Sequence, residues 1–222
     1  MSPFSPIAVL TCIMAAGLPG GVRGHGRMLD PPSRMSAYLA GFDTPPNYED
    51  HQMNCGGISL QWDTNGGRCG VCGDPWSGPR LYERPDGAMV QGEPVITKTY
   101  SENESIKVSI QITMNHKVRF QIQFVVSRLN RQYSDQDCLD KHLLADDTGR
   151  TRFDSPSDST GLFDFYLVLP SGVTCPQCML QWKWRAGNNW GCDANGDCGV
   201  GKGERQEEFY ACSDVKIDPR GG

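Results

Sequence analysis

The sequence predicts a mainly β protein: an antiparallel immunoglobulin- or fibronectin-like β-sandwich carrying a long, disulfide-braced N-terminal loop region and short helices. Three observations predict it. Apolar and polar residues alternate with a period of two in several short segments after residue 100, as strands with one buried face require. No stretch carries a sustained helical repeat. Turn-forming residues separate the alternating segments at short intervals, which favours packed sheets over a helical or α/β arrangement.

Residues 1–24 read as a secretory signal. Residues 7–16 (Ile-Ala-Val-Leu-Thr-Cys-Ile-Met-Ala-Ala) form an apolar core of suitable length, and Val22 and Gly24 supply small residues three and one positions before a cut. The segment departs from the usual pattern in that Met1 to Pro6 carries no Lys or Arg. Residues 25–222 then form a single domain. From His25 to about Pro94 the chain is rich in Gly, Pro, Asp and Asn and lacks periodicity, so it reads as loop, with a short helix near Ser36–Leu39. Strands follow over 106–112, 118–126, 162–169, 179–184 and 208–217. Asn115 and His116 occupy a short connection where two strands could reverse. A short helix is expected over 137–146.

The formal charge of the whole chain is −5. Removal of the first segment, whose single charge is Arg23, makes it one unit more negative. This balance argues against nucleic acids and anionic membranes as partners, and no apolar stretch after the signal approaches the length of a membrane span. Of ten cysteines, Cys12 lies in the signal. The others (Cys55, Cys69, Cys72, Cys138, Cys175, Cys178, Cys192, Cys198 and Cys212) are dense enough to read as disulfides of an exported, extracellular protein. Their number is odd, so one thiol is free or pairs outside the chain.

There are four histidines, at 25, 51, 116 and 142. An internal histidine is more often a surface or structural residue than a ligand. His51 stands in a polar loop and His142 on what reads as a solvated helix face. His116 differs by lying at a strand connection, where a side chain projects to the edge of the sandwich. His25 differs more: a cut after Gly24 gives it a free α-amine beside its imidazole, so one residue offers two nitrogens to a metal. With His116 these make three nitrogen donors, suited to Cu(II) in a planar T. The amine is accessible in neutral form because its reference pKa is only about 8. Spacing alone does not separate this reading from incidental histidines.

The segments His25-Gly-Arg-Met-Leu-Asp-Pro-Pro-Ser-Arg34, Cys55-Gly-Gly-Ile-Ser-Leu-Gln-Trp62, Asn65-Gly-Gly-Arg-Cys-Gly-Val-Cys-Gly-Asp74, Asn115-His-Lys117, Cys138-Leu-Asp-Lys-His142, Gly172-Val-Thr-Cys-Pro-Gln-Cys-Met-Leu-Gln-Trp-Lys183, Asn188-Asn-Trp-Gly-Cys-Asp193 and Gln206-Glu-Glu-Phe-Tyr-Ala-Cys-Ser-Asp214 occur in order along nearly the whole chain. In these the chain resembles the lytic polysaccharide monooxygenases of auxiliary-activity family fifteen, related to the chitin-binding type-4 domains. The resemblance implies one mononuclear copper ion in a histidine brace made by His25 and His116. It also implies an aromatic residue at the axial position, which maps to Phe209, or to its neighbour Tyr210 if the alignment slips by one. In a strand these two point to opposite faces, so only one can face a metal. Against the family pattern, Met114 stands where a small residue, usually Ala, is expected two before the second histidine. It either crowds the oxygen-facing side of the site or turns away and packs as an adaptable apolar residue. Val118 replaces a common Gly, and cysteines expected near Ser127 and Lys202 are absent, which makes Cys138 the candidate for the thiol without a partner.

The resemblance further implies oxidative cleavage of an insoluble β-1,4-linked polysaccharide, with O2 or H2O2 as co-substrate and an external electron donor, by hydrogen abstraction at C1 or C4. Chitin is favoured over cellulose by analogy with the related binding domains. The rival expectations are a non-catalytic chitin-binding module and a disulfide-rich interaction protein; a zinc hydrolase would want three side-chain ligands and a carboxylate base. A solid substrate calls for an exposed face, and the loop aromatics Tyr38, Tyr48, Trp76 and Tyr82 are the candidates to line it. Trp182 and Trp184 share a strand face and read as core. Asn103-Glu-Ser105 is an N-glycosylation sequon. The protein is expected to act as a secreted monomer.

Overall fold

The computed structural model describes residues 24–115, 121–128, 136–154 and 159–220, with the backbone alone for 121–128 and Cys138. Two sheets face each other. The first is built from β1 (His25–Asp30), β3 (Ser105–Met114) and β5 (Gly161–Val168), in the order β1-β3-β5. The second is built from β2 (Lys98–Ser101), β4 (Gln121–Arg128), β6 (Cys175–Arg185) and β9 (Glu208–Asp218), in the order β2-β9-β6-β4. A hairpin of β7 (Trp190–Cys192) and β8 (Cys198–Val200) stands apart from both. All ladders are antiparallel except β2 with β9, which is parallel.

The period-two segments form strands for the reason expected. Ile106, Val108, Ile110 and Ile112 alternate along β3 and are all buried, as are Leu180, Trp182 and Trp184 along β6 and Phe209, Ala211, Val215 and Ile217 along β9. These side chains fill the space between the sheets, where each large one contributes roughly 1.5–3 kcal/mol by leaving water. Trp182 and Trp184 are core residues, and the stack continues from Trp182 through Trp184 to Phe209, with centroid separations of 6.1 and 4.8 Å.

β9 is buried on both faces. Its outer face carries Tyr210, Cys212 and Asp214, and the long loop region covers it. The Cys72–Cys212 bridge pins that region to the strand. Arg34 forks onto the Asp214 carboxylate with two bonds of 2.7 and 2.8 Å and donates a third to the Tyr82 carbonyl. Gln181, on the outer face of β6, donates to the Val71 carbonyl. The other bridges are Cys55–Cys69, Cys175–Cys178 and Cys192–Cys198. Together the four take up every cysteine of residues 25–222 except Cys138.

Four expectations need correction. The segment from His25 to Pro94 is not all loop, because its first six residues are β1. That strand escapes the periodicity test because one of its core-facing positions is Gly26. A Cβ there would lie 3.0 Å from the Trp182 indole and 3.3 Å from that of Trp184, so the core leaves little room for a side chain and the sequence shows no apolar alternation. The strands on either side of His116 do not reverse as a hairpin. β3 belongs to one sheet and β4 to the other, so the two do not pair. The helix expected over 137–146 is α1 (Gln136–Leu139) and a 3-10 turn (Asp140–His142); Leu143 is already extended. The short helix near 36–39 is likewise a 3-10 turn, at Ala37–Ala40.

Candidate metal centre

The first residue of β1 is His25, placed by pairing with β3, where it lies opposite Met114. The His25 side of the expected brace is therefore held by a sheet, opposite Met114, which precedes His116 by two positions. His116 itself lies outside the described residues, as do Lys117 and Val118. Met114 is 40% exposed, so it does not turn into the core.

A single segment ties this edge to the second sheet. The Gly26 amide donates to the His51 carbonyl and the Tyr210 amide to the Met53 carbonyl, both at 2.9 Å, so residues 51–53 run between β1 and β9. Arg27 anchors the same segment through the buried Asp50 and also reaches Gln111 on β3. This places the His51 ring 5.0 Å from the His25 ring, centroid to centroid. The polar loop around His51 gave no sequence signal for that proximity, because it depends on a contact between segments 26 residues apart. His142 follows α1, away from this edge in sequence and in element order.

Phe209 and Tyr210 point to opposite sides, as strand geometry requires. Phe209 is fully buried between the sheets against Trp184, whose indole in turn packs on Gly26. Tyr210 lies on the outer face with Cys55 and Cys69. Its hydroxyl donates to the Glu208 carboxylate at 2.9 Å, and the Lys183 ammonium sits 5.2 Å from its ring centroid. Burial, reinforced by the Glu208 charge, holds the phenol well above its usual pKa. Of the two aromatics, Phe209 is the one on the β1 side.

The sequence reading missed Glu207. It is buried immediately before β9, with one carboxylate oxygen taking a bond from the Asn54 amide and the other from the Asn188 amide, at 3.2 and 3.1 Å. It also lies 3.4 Å from the backbone nitrogen of Gly24, one residue from the amine that a cut would release. The donor chemistry at this edge fits a copper ion: imidazole and potential amine from one residue, an apolar ring nearby and a buried carboxylate.

The surface candidates divide. Tyr48 is 79% exposed, and Tyr38 is half-buried edge-on to it with its hydroxyl bound to the Asn47 carbonyl. Trp76 is partly exposed, but the guanidinium groups of Arg68 and Arg80 lie 4.9 and 4.3 Å from its ring centroid, so its faces are engaged by cations. Tyr82 is 4% exposed and is excluded from any surface. Its phenol pKa is pushed up to about 12 by burial, and its amide caps the Asp74 carboxylate. Asn103 is exposed in the turn between β2 and β3.

Comparison with known proteins agrees with this architecture. The family model described as "Lytic polysaccharide mono-oxygenase, cellulose-degrading" matches residues 25–215. A solved structure of a lytic polysaccharide monooxygenase of family AA15 from Thermobia domestica, in the Cu(I) state, is 38% identical, with a TM-score of 0.80 over 87% of this chain and 99% of that one. No curated protein sequence matches the chain significantly. No helix among the described residues is long and apolar enough to cross a membrane. The matched family model and the solved relative show that the chain belongs to the lytic polysaccharide monooxygenases, in auxiliary-activity family fifteen.

Proposed function

We propose that this protein is exported, cut between Gly24 and His25, and used outside the cell as a monomeric copper enzyme that cleaves an insoluble β-1,4-linked polysaccharide, chitin in preference to cellulose. The observation that carries the reading is the position of His25. It begins a paired strand at the edge where residues 51–53 and Glu207 join the two sheets. The match of the family model from residue 25 onward supports the same boundary.

The residues that would hold the ion are His25, through its α-amine and imidazole, and His116. A copper ion held there supplies one-electron chemistry toward O2 or H2O2 with electrons from an external donor, as hydrogen abstraction at C1 or C4 requires. The chain's own part is positioning. β1–β3 pairing fixes the first residue, and Arg27 with Asp50 fixes the segment beneath it. Phe209 would offer the ion an aromatic face without a donor atom, a role its neighbour Tyr210 cannot share from the opposite face. Met114 stands at the rim on the β3 side. Tyr48, with Tyr38 behind it, provides an exposed aromatic contact for sugar. Asn103 is an accessible glycosylation site.

The test is copper titration of protein beginning at His25 against protein retaining Gly24. The shorter form should bind copper tightly through three nitrogens. The longer form should bind far more weakly, because an amide nitrogen has no basic lone pair. Soluble oxidised oligosaccharides from chitin or cellulose, identified by mass spectrometry, complete the assignment. A protein that adheres to chitin yet binds no copper after trimming would be a binding module instead.

A further inference from the structure

The end of β3 brings a sulfur to the metal-centre edge. Ile106, Val108, Ile110 and Ile112 occupy the inner face of that strand and are buried. Met114 is next in the same series, but the buried run stops at Ile112 and Met114 is 40% exposed. An exposed thioether at the end of a core strand gains little from packing, so its neighbours decide what it does.

The pairing of β1 with β3 supplies the neighbour. The register shifts between His25 and Gly26, so Gly26 lies opposite Ile112 and His25 opposite Met114. Without that shift His25 would lie opposite Thr113. Irregularities of this kind re-aim a side chain at the end of a ladder. Residues directly opposite in an antiparallel pair share a face, with Cβ atoms about 4.5–5.5 Å apart. The Thr113 hydroxyl, 3.4 Å from the His25 carbonyl oxygen, fastens the same junction. Three rotatable bonds let the Met114 thioether swing toward an ion held by His25.

The donors at this edge differ in softness. Histidine and amine nitrogens suit Cu(II), and the Glu207 carboxylate is engaged by the Asn54 and Asn188 amides. Phe209 brings a ring without a donor atom. A thioether is soft and uncharged, and it selects Cu(I). We propose that Met114 is a donor to the reduced ion: its sulfur binds Cu(I) at the His25–His116 centre, adds little to Cu(II), and so raises the reduction potential. The inference rests on the reading that these two histidines hold copper.

Anaerobic competition of the protein beginning at His25 against bicinchoninate, a Cu(I) chelator, and titration with Cu(II) test it. Met114→Leu keeps the bulk and removes the sulfur. It should bind Cu(I) roughly tenfold more weakly than wild type and Cu(II) equally well. Its reduction potential should then fall by about 59 mV, the one-electron equivalent of tenfold. X-ray absorption of the Cu(I) form should show a sulfur neighbour in wild type and none in the variant. Met114→Ala should match Met114→Leu in both affinities, because the effect belongs to the sulfur and not to bulk. Equal Cu(I) binding by Met114→Leu and wild type, or a loss shared equally by both oxidation states, would overturn the donor role and leave the copper reading intact. Wild-type protein that binds neither ion tightly would overturn that reading and this inference with it.

Discussion

At the scale of the residue, neighbours in sequence have opposite tasks. Phe209 closes a stack of three aromatic rings between the sheets, while Tyr210 spends its hydroxyl on Glu208 beneath the disulfide-bound loops. Tyr210→Phe should lower stability by about 1–2 kcal/mol, the penalty of stranding a buried hydrogen-bonding group, and leave the copper electron paramagnetic resonance spectrum unchanged. Phe209→Tyr should perturb that spectrum, because it brings a hydroxyl to the apolar side of the site. Identical spectra for Phe209→Tyr and wild type would remove Phe209 from the proposed copper site. His51→Ala should also alter the spectrum without abolishing binding, since it removes the ring packed against His25 but none of the three nitrogens. His142→Ala should change neither.

At the scale of the element, stability depends on how far apart in sequence each bridge reaches. Cys72–Cys212 closes 140 residues and is the covalent link between the loop layer and β9, whereas Cys175–Cys178 closes only 3. Removing the first pair should lower the unfolding free energy by roughly 2–5 kcal/mol and the second by clearly less, measured by denaturant unfolding of the paired Cys→Ser variants. The core strands were legible in the sequence because their burial is one-sided and period two exposes it. β1 was not, because the indoles of Trp182 and Trp184 replace its side chain at Gly26. β7 and β8 were not, because their inner face is glycine. The proposed brace at His25 rests on the expected signal before it and on the family motifs. Glu207 and the approach of His51 to His25 could not be read from the sequence, since both arise from contacts between distant segments.

At the scale of the molecule, the loop layer acts as a third sheet-covering stratum, and its burial of charge makes stability depend on pH. Burial pushes the Asp74 carboxyl up to about 6, against the Tyr82 amide that favours its charged form and with help from the nearby Glu83 charge. The folded protein binds this proton more tightly than the unfolded chain, whose value is 3.8. The contribution is therefore fully present below about pH 4 and is lost as the pH rises through 6, on the order of 2–3 kcal/mol. Asp74→Asn retains an oxygen for the Tyr82 amide and does not titrate. Its stability relative to wild type should improve by that amount between pH 4 and 7, and a constant difference across the range would refute the assignment. The β7–β8 hairpin has a consequence of another kind. Gly191 and Gly199 point inward, and a Cβ at Gly191 would meet the Lys202 carbonyl oxygen, whereas the exposed Trp190 and Val200 take no part in that packing. Replacements at positions 190 and 200 can accordingly accumulate without unfolding the protein.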